Sequence, residues 1–196
     1  MNQKAEKTQK ISELLEASGA RAVAVLDGIG DEQLDRRTPC TEYDVRALVN
    51  HLFQVVVQFQ ALAAKKDADF SGSVDLFGAG SDWRERFAAE VRLLVDAWAA
   101  PGAEEGTTGQ MGFPARTVGQ MVLGDLTLHA WDLARATGLP YAPDEAVVAD
   151  LAPAVAAIAP GAREAGVYGA PVEVPEDAPD FDVVLATTGR DPRWRP

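Results

Sequence analysis

TVGQMVLGDLTLHAWDLA, running from Thr117 to Ala134, is the segment that decides the fold. It holds only three ionisable side chains, Asp125, His129 and Asp132, among residues that are mostly apolar or small. Steps of four and three residues put those three on one helical stripe with Val118 and Val122. The pattern predicts a helix from Arg116 or Thr117 to Thr137, stopped by Gly138, with Pro140 two residues later barring its continuation. Two acids and a histidine make a membrane span a poor reading, so this is expected to be the central helix of a bundle.

Working outward, apolar residues at helical spacing predict helix one from about Thr8 to Leu26, ended by Gly28 and Gly30. Helix two runs from Asp44, a plausible cap, to about Ala64, with Val45, Leu48, Leu52, Val55, Val56, Phe59 and Leu62 on one broad face. Ser81 opens helix three, which continues through Phe87, Val91, Leu94 and Trp98 to Pro101. A glycine-rich polar stretch follows, with Glu104 and Glu105 in a solvated loop and Gln110 to Phe113 able to pair briefly. A fifth helix is expected from Pro143 to Ile158, and a short one from about Asp180 to Thr188. No strand-like alternation lasts long enough for a sheet. The fold class is therefore all-α: a four-helix bundle over 1–140 with a C-terminal helical extension, 141–196, packed on it.

The 196 residues carry a net charge of −12. With a pI near 4.5 and dispersed Lys and Arg, there is no basic footprint for nucleic acid or an anionic membrane. The N-terminus lacks a signal-peptide h-region, so a cytoplasmic protein is expected. One cysteine, Cys40, rules out an internal disulfide and every multi-cysteine metal arrangement, leaving nitrogen and oxygen donors.

An unpaired buried carboxylate costs several kcal/mol, so the polar stripe of helix four demands partners. A divalent metal is one: Asp125 and His129, at i and i+4, project toward one point, and His51 on helix two could supply a third ligand. The alternatives are a hydrogen bond between Asp125 and His129, or an ion pair from Asp132 to a basic residue such as Arg135 or Arg46, with no metal. Asp132 could also accept the free N–H of a ligand histidine. His51 lies about two turns, or ~10 Å of helix rise, beyond the start of helix two, which Cys40 precedes, and this argues that Cys40 does not easily share that metal. Trp131 either packs or lines the pocket mouth; Arg135 either favours the helix C-terminus or binds a substrate carboxylate.

TPCTEYDVRALVNHL, followed some eighty residues later by GDLTLHAWDLARATG, resembles the actinobacterial metal-binding proteins related to the N-terminal domain of mycothiol-dependent maleylpyruvate isomerase, within the DinB-like four-helix bundles. The resemblance runs from helix one through APVEVPEDAP and GRDP in the tail. It implies a divalent metal, Zn2+ or Ni2+, held by His51, Asp125 and His129, with mycothiol as the thiol cofactor and a small electrophile as substrate. Trp131 and Arg135 are then the candidate cofactor-binding residues. Two departures stand out: Asp125 replaces the Glu of the isomerase-like pattern, and the tail is shorter than the C-terminal domain those isomerases carry. The readings that follow are a thiol-dependent isomerase or transferase, or a non-enzymatic bundle that binds metal or a small ligand. The oligomeric state is open, a homodimer being one arrangement.

Overall fold

The computed structural model describes residues 9–72, 75–77, 82–110 and 112–196. Its described residues form six α-helices and a short 3-10 turn at Asp31–Gln33, with no strand: α1 (Ile11–Gly28), α2 (Val45–Ala63), α3 (Trp83–Ala99), α4 (Ala115–Thr137), α5 (Glu145–Glu164) and α6 (Asp180–Thr187). The all-α expectation holds. Thr8 and Ser81, expected near the starts of helices one and three, lie outside the described residues. Asp82 caps α3 by accepting the Arg84 N–H at 3.0 Å. Asp44 caps α2 through the Ala47 N–H at 2.8 Å, satisfying a donor that has no partner within the helix.

In the bundle α1 and α2 occupy opposite corners, each flanked by both α3 and α4. Their apolar stripes meet in one core that includes Leu14, Leu48, Leu52, Phe87, Leu94, Trp98 and Val122. On its other side α4 meets a second apolar cluster, in which Leu128 and Trp131 pack with Val155 of α5 and Val184 and Leu185 of α6. Contact on two sides explains why α4 is buried almost continuously from Val122 to Ala134 and why its sequence is so apolar. At its end, Gly138 adopts φ +77°, and its N–H donates back to the Ala134 carbonyl, a left-handed stop that glycine tolerates without strain.

Three expectations need correction. Helix five continues to Glu164 with Pro153 and Pro160 inside it, because both prolines face solvent and the carbonyls they leave unpaired can be hydrated. Glu104 is not simply solvated: its carboxylate accepts the Ile11 N–H at 3.0 Å and pairs with Arg116 at 2.7 Å, tying the start of α1 to α4. The pairing expected at Gln110–Phe113 is an isolated bridge between Thr107 and Pro114; Met111 lies outside the described residues.

Helix α4 approaches its neighbours most closely at Gly119, where a Cβ would stand 2.8 Å from Ile11 Cγ2 and 3.0 Å from Trp98 Cζ3. Replacing glycine gains up to ~1 kcal/mol of helix propensity, but overpacking costs ~1–3 kcal/mol. Gly119→Val is expected to lower the unfolding free energy by about 1–3 kcal/mol in urea denaturation; an unchanged midpoint would show that the helices can move apart there without penalty.

Candidate functional site

The turn before α2 is built around the buried Thr38, whose hydroxyl lies 2.7 Å from the Tyr43 carbonyl and 2.8 Å from that of Cys40. An isolated bridge between Arg37 and Asp44 closes the loop. Its residues Cys40 to Tyr43 line a pocket together with His51 from α2 and Asp125 and His129 from α4. The Tyr43 ring stacks on His51, with centroids 5.1 Å apart and planes inclined by 16°. The His51 ring in turn meets His129 edge to face at 5.1 Å.

Asp132 is fully buried, and its charge is answered from the C-terminal tail. Arg190 Nε donates to Asp132 at 3.0 Å and Nη2 at 2.9 Å, while Nη1 donates to Thr188 Oγ1 at 3.2 Å. His129 Nδ1 sits 3.0 Å from the same carboxylate. Burial alone would push Asp132 upward, but the Arg190 guanidinium and the His129 hydrogen bond hold its carboxyl below the usual range. It is therefore ionised and can only accept, so the shorter contact favours a proton on Nδ1 of neutral His129, leaving the Nε2 lone pair free, although Arg190 Nη2, a donor, also stands 3.4 Å from Nδ1. Burial opposes the Arg190 charge, yet Asp132 raises its pKa above the ordinary value.

The tail is shaped to deliver that arginine. Gly189 has φ +88°, and a Cβ there would stand 2.7 Å from the Gly169 Cα, so any side chain would both strain and collide. Arg135 donates to the carbonyls of Pro192 and Trp194 and lies over the Trp131 ring at 5.7 Å. Neither Arg135 nor Trp131 lines the pocket; they anchor the end of the chain whose turn carries Arg190.

Of the two alternatives to a metal, the ion pair from Asp132 to a basic residue is present, with Arg190 as the partner; the Asp125–His129 hydrogen bond is not. Asp125 Oδ1 and His129 Nε2 are 3.9 Å apart, too far for a hydrogen bond. Asp132 pairs with neither Arg135 nor Arg46. Asp125 is half-buried and accepts no side-chain hydrogen bond among the described residues; burial pushes its carboxyl up, against the pull of His129 and Arg190. Burial, helped by His129, holds His51 down to about 4, so it is neutral near pH 7.

Cys40 lies close to two of the helix-four residues. Its donor atom and those of His129 and Asp132 all lie within 4.8 Å of one another. Rise along α2 does not describe a residue in a loop that folds back over α4. Burial and Asp132 push the Cys40 thiol upward, with Arg190 opposing them. This trio suits a cation poorly, because Asp132 is already neutralised by a guanidinium. His51, Asp125 and His129 line one pocket and offer a second group of donors: one carboxylate that accepts no side-chain hydrogen bond among the described residues, and two imidazoles.

Among known sequences, the family described as mycothiol maleylpyruvate isomerase N-terminal domain matches residues 15–134. Two uncharacterized proteins of Mycobacterium tuberculosis, from strains CDC 1551 / Oshkosh and ATCC 25618 / H37Rv, are each 31% identical over 177 residues, covering 85% of this chain and 90% of theirs. No solved structure matches the chain.

Two outcomes are expected. Arg190→Ala leaves a buried carboxylate unpaired and should destabilise the protein by ~3–5 kcal/mol near neutral pH. The deficit relative to wild type should shrink as acid protonates Asp132. Urea denaturation across pH checks this; a deficit independent of pH would mean that the arginine acts through packing alone. For His51, the unfolded chain takes up a proton near pH 6.5 and the folded protein near 4. Its contribution is thus complete above about 6.5 and lost as the pH falls toward 4. Metal-free His51→Phe should lose less stability than wild type across that window, and parallel curves would contradict the placement.

Proposed function

Since the chain belongs to the mycothiol maleylpyruvate isomerase N-terminal domain family, we propose that it is a divalent-metal protein that uses a low-molecular-weight thiol, mycothiol, to isomerise or be transferred to a small electrophile. The observation that supports this reading is the position of His129, whose Nε2 lies 3.9 Å from Asp125 in a pocket shared with His51 while its Nδ1 meets the Asp132 carboxylate that Arg190 holds. His51, Asp125 and His129 would hold Zn2+ or Ni2+. A cation bound there supplies Lewis acidity and keeps a thiol ionised near neutral pH.

The protein's own groups do the positioning. Tyr43 stacks against His51 and fixes its ring plane. Asp132 orients His129 and stabilises positive charge on it, a role that ligand imidazoles usually assign to an outer carboxylate. Arg190 keeps Asp132 ionised and so maintains the His129 tautomer. Asp125, raised by burial, is the group here best suited to hold or release a proton when the cation is absent.

We place the protein in the cytoplasm, without membrane or nucleic-acid partners, on the support of its net charge of −12. Helix α5 is long and apolar enough to cross a membrane by length and composition. It nevertheless buries Val147 and Leu151 in the bundle core, and its Asp150 binds Arg116 and Gln120. We therefore read α5 as a packing helix, part of the 141–196 extension.

Titration of chelated protein with Zn2+ or Ni2+ tests the donor set. Wild type should bind one equivalent. His51→Ala and His129→Ala should lose at least the ~10–100-fold that removal of an outer partner costs, and Asp132→Ala should lose about that much. Equal affinity in wild type and both histidine variants would overturn the reading. Metal binding without any metal-dependent thiol addition to a panel of small electrophiles would leave a binding module instead of an enzyme.

A further inference from the structure

The chain has three tyrosines, and their hydroxyls are used differently. Tyr141 Oη donates to the Thr127 carbonyl at 3.0 Å, and Tyr43 stacks its ring on His51. Tyr168, in the loop after α5, lines the pocket together with His51, Asp125, His129 and Arg190. Its hydroxyl makes no hydrogen bond among the described residues. The described side-chain polar atoms that are sealed off without a partner are Trp98 Nε1 and Thr108 Oγ1, so the Tyr168 oxygen is reached by solvent. A half-buried phenol whose donor is open in a cavity of about 540 Å³ is a group whose partner is expected to come from outside the chain.

The ring is fixed even though the hydroxyl is free. It packs against the cluster of Leu128, Trp131, Val155, Val184 and Leu185. The N–H groups of Val167 and Tyr168 both donate to the Ala162 carbonyl, at 2.8 and 3.3 Å, and the Gly169 N–H donates to Thr188 O at 3.3 Å. Gly169 is also the residue against which Gly189 is pressed, so the loop that carries Tyr168 leans on the turn that carries Arg190. A donor held in this way loses little freedom when it meets an acceptor.

Its surroundings keep it a donor. Burial, helped by the Asp125 carboxylate and opposed by Arg190, pushes the Tyr168 hydroxyl up to about 12. It therefore retains its proton near neutral pH. The guanidinium of Arg190 and the hydroxyl act on one another, which places a positive charge near whatever oxygen the phenol holds. An apolar group in the same place would leave the donor unpaired.

We propose that Tyr168 contacts the substrate, donating its O–H to a carbonyl oxygen of the bound molecule, and that it selects carbonyl-bearing electrophiles over isosteres without the oxygen. The catalytic consequence rests on the reading of the site given above. As a thiolate sulfur bonds to the electrophilic carbon, a π electron pair moves onto that oxygen, and the Tyr168 hydrogen bond strengthens with the growing charge. The proton stays on Tyr168, and the pair returns when the carbon–sulfur bond breaks and the thiolate leaves.

The probes are acetophenone and α-methylstyrene, alike in shape, the second carrying a methylene group where the first has its carbonyl oxygen. Both are titrated near neutral pH into the chelated full chain, as wild type and as Tyr168→Phe, which keeps the packed ring. The variant should bind acetophenone about three- to ten-fold more weakly and α-methylstyrene as wild type does. The infrared carbonyl stretch of bound, isotope-labelled acetophenone should lie at a higher wavenumber in the variant, where the hydrogen bond is lost. Wild type that fails to bind acetophenone, or binds it no better than Tyr168→Phe, would overturn the assignment, as would an equal loss for both probes, the mark of ring packing alone. Ketone binding that depends on Tyr168 in a protein that takes up no metal would support this assignment while contradicting the metal reading. Normal metal uptake with no dependence on Tyr168 would do the reverse.

Discussion

The constraint on which this structure depends is the burial of one carboxylate, Asp132, in α4, the helix that packs on two sides and is buried along most of its length. A charge in such surroundings must be matched by a partner with good geometry, or the helix cannot stay ionised and buried at once. The match comes from Arg190, 58 residues away, through two nitrogens of one guanidinium fork. The pair draws the C-terminal tail against α4. In doing so it completes the wall of the pocket and places a carboxylate against His129 Nδ1.

The tail therefore serves as more than an outer layer. Gly169 and Gly189 cross at a separation that admits no side chain on Gly189, Arg135 holds the last residues by their carbonyls, and the turn between them aims Arg190 inward. The bundle provides the opposite half of the site: His51 from the flank of α2, Asp125 and His129 from the stripe of α4, and Tyr43 from the loop that precedes α2. Rigid helices carry the candidate ligands and short tied loops carry the rim, a division that lets the rim vary without disturbing the donors.

Much of the bundle was legible in the residues themselves. Periodicity located four core helices, and Gly138 with Pro140 marked the end of α4 to the residue. The stripe of Asp125, His129 and Asp132 showed that a buried charge needed a partner, because spacing and composition are local properties. The identity of that partner was not local. Arg46 and Arg135 were nearer in sequence, and only the glycine before Arg190 hinted at a turn built to direct a side chain. Cys40 lies nearer to His129 and Asp132 than the sequence suggested, because helix rise measures distance along α2 and says nothing about a loop that folds back. Helix five outran its expected end because prolines that face water cost it little.

The central claim is that Asp132, held ionised by Arg190, places the proton of neutral His129 on Nδ1 and leaves Nε2 free toward His51 and Asp125. Long-range proton–nitrogen correlation spectra of the metal-free protein near neutral pH read this directly, since the chain has only two histidines and His51→Phe assigns them. The account predicts the Nδ1–H tautomer for His129 in wild type and its loss in Asp132→Ala. A wild-type His129 protonated on Nε2 would contradict it.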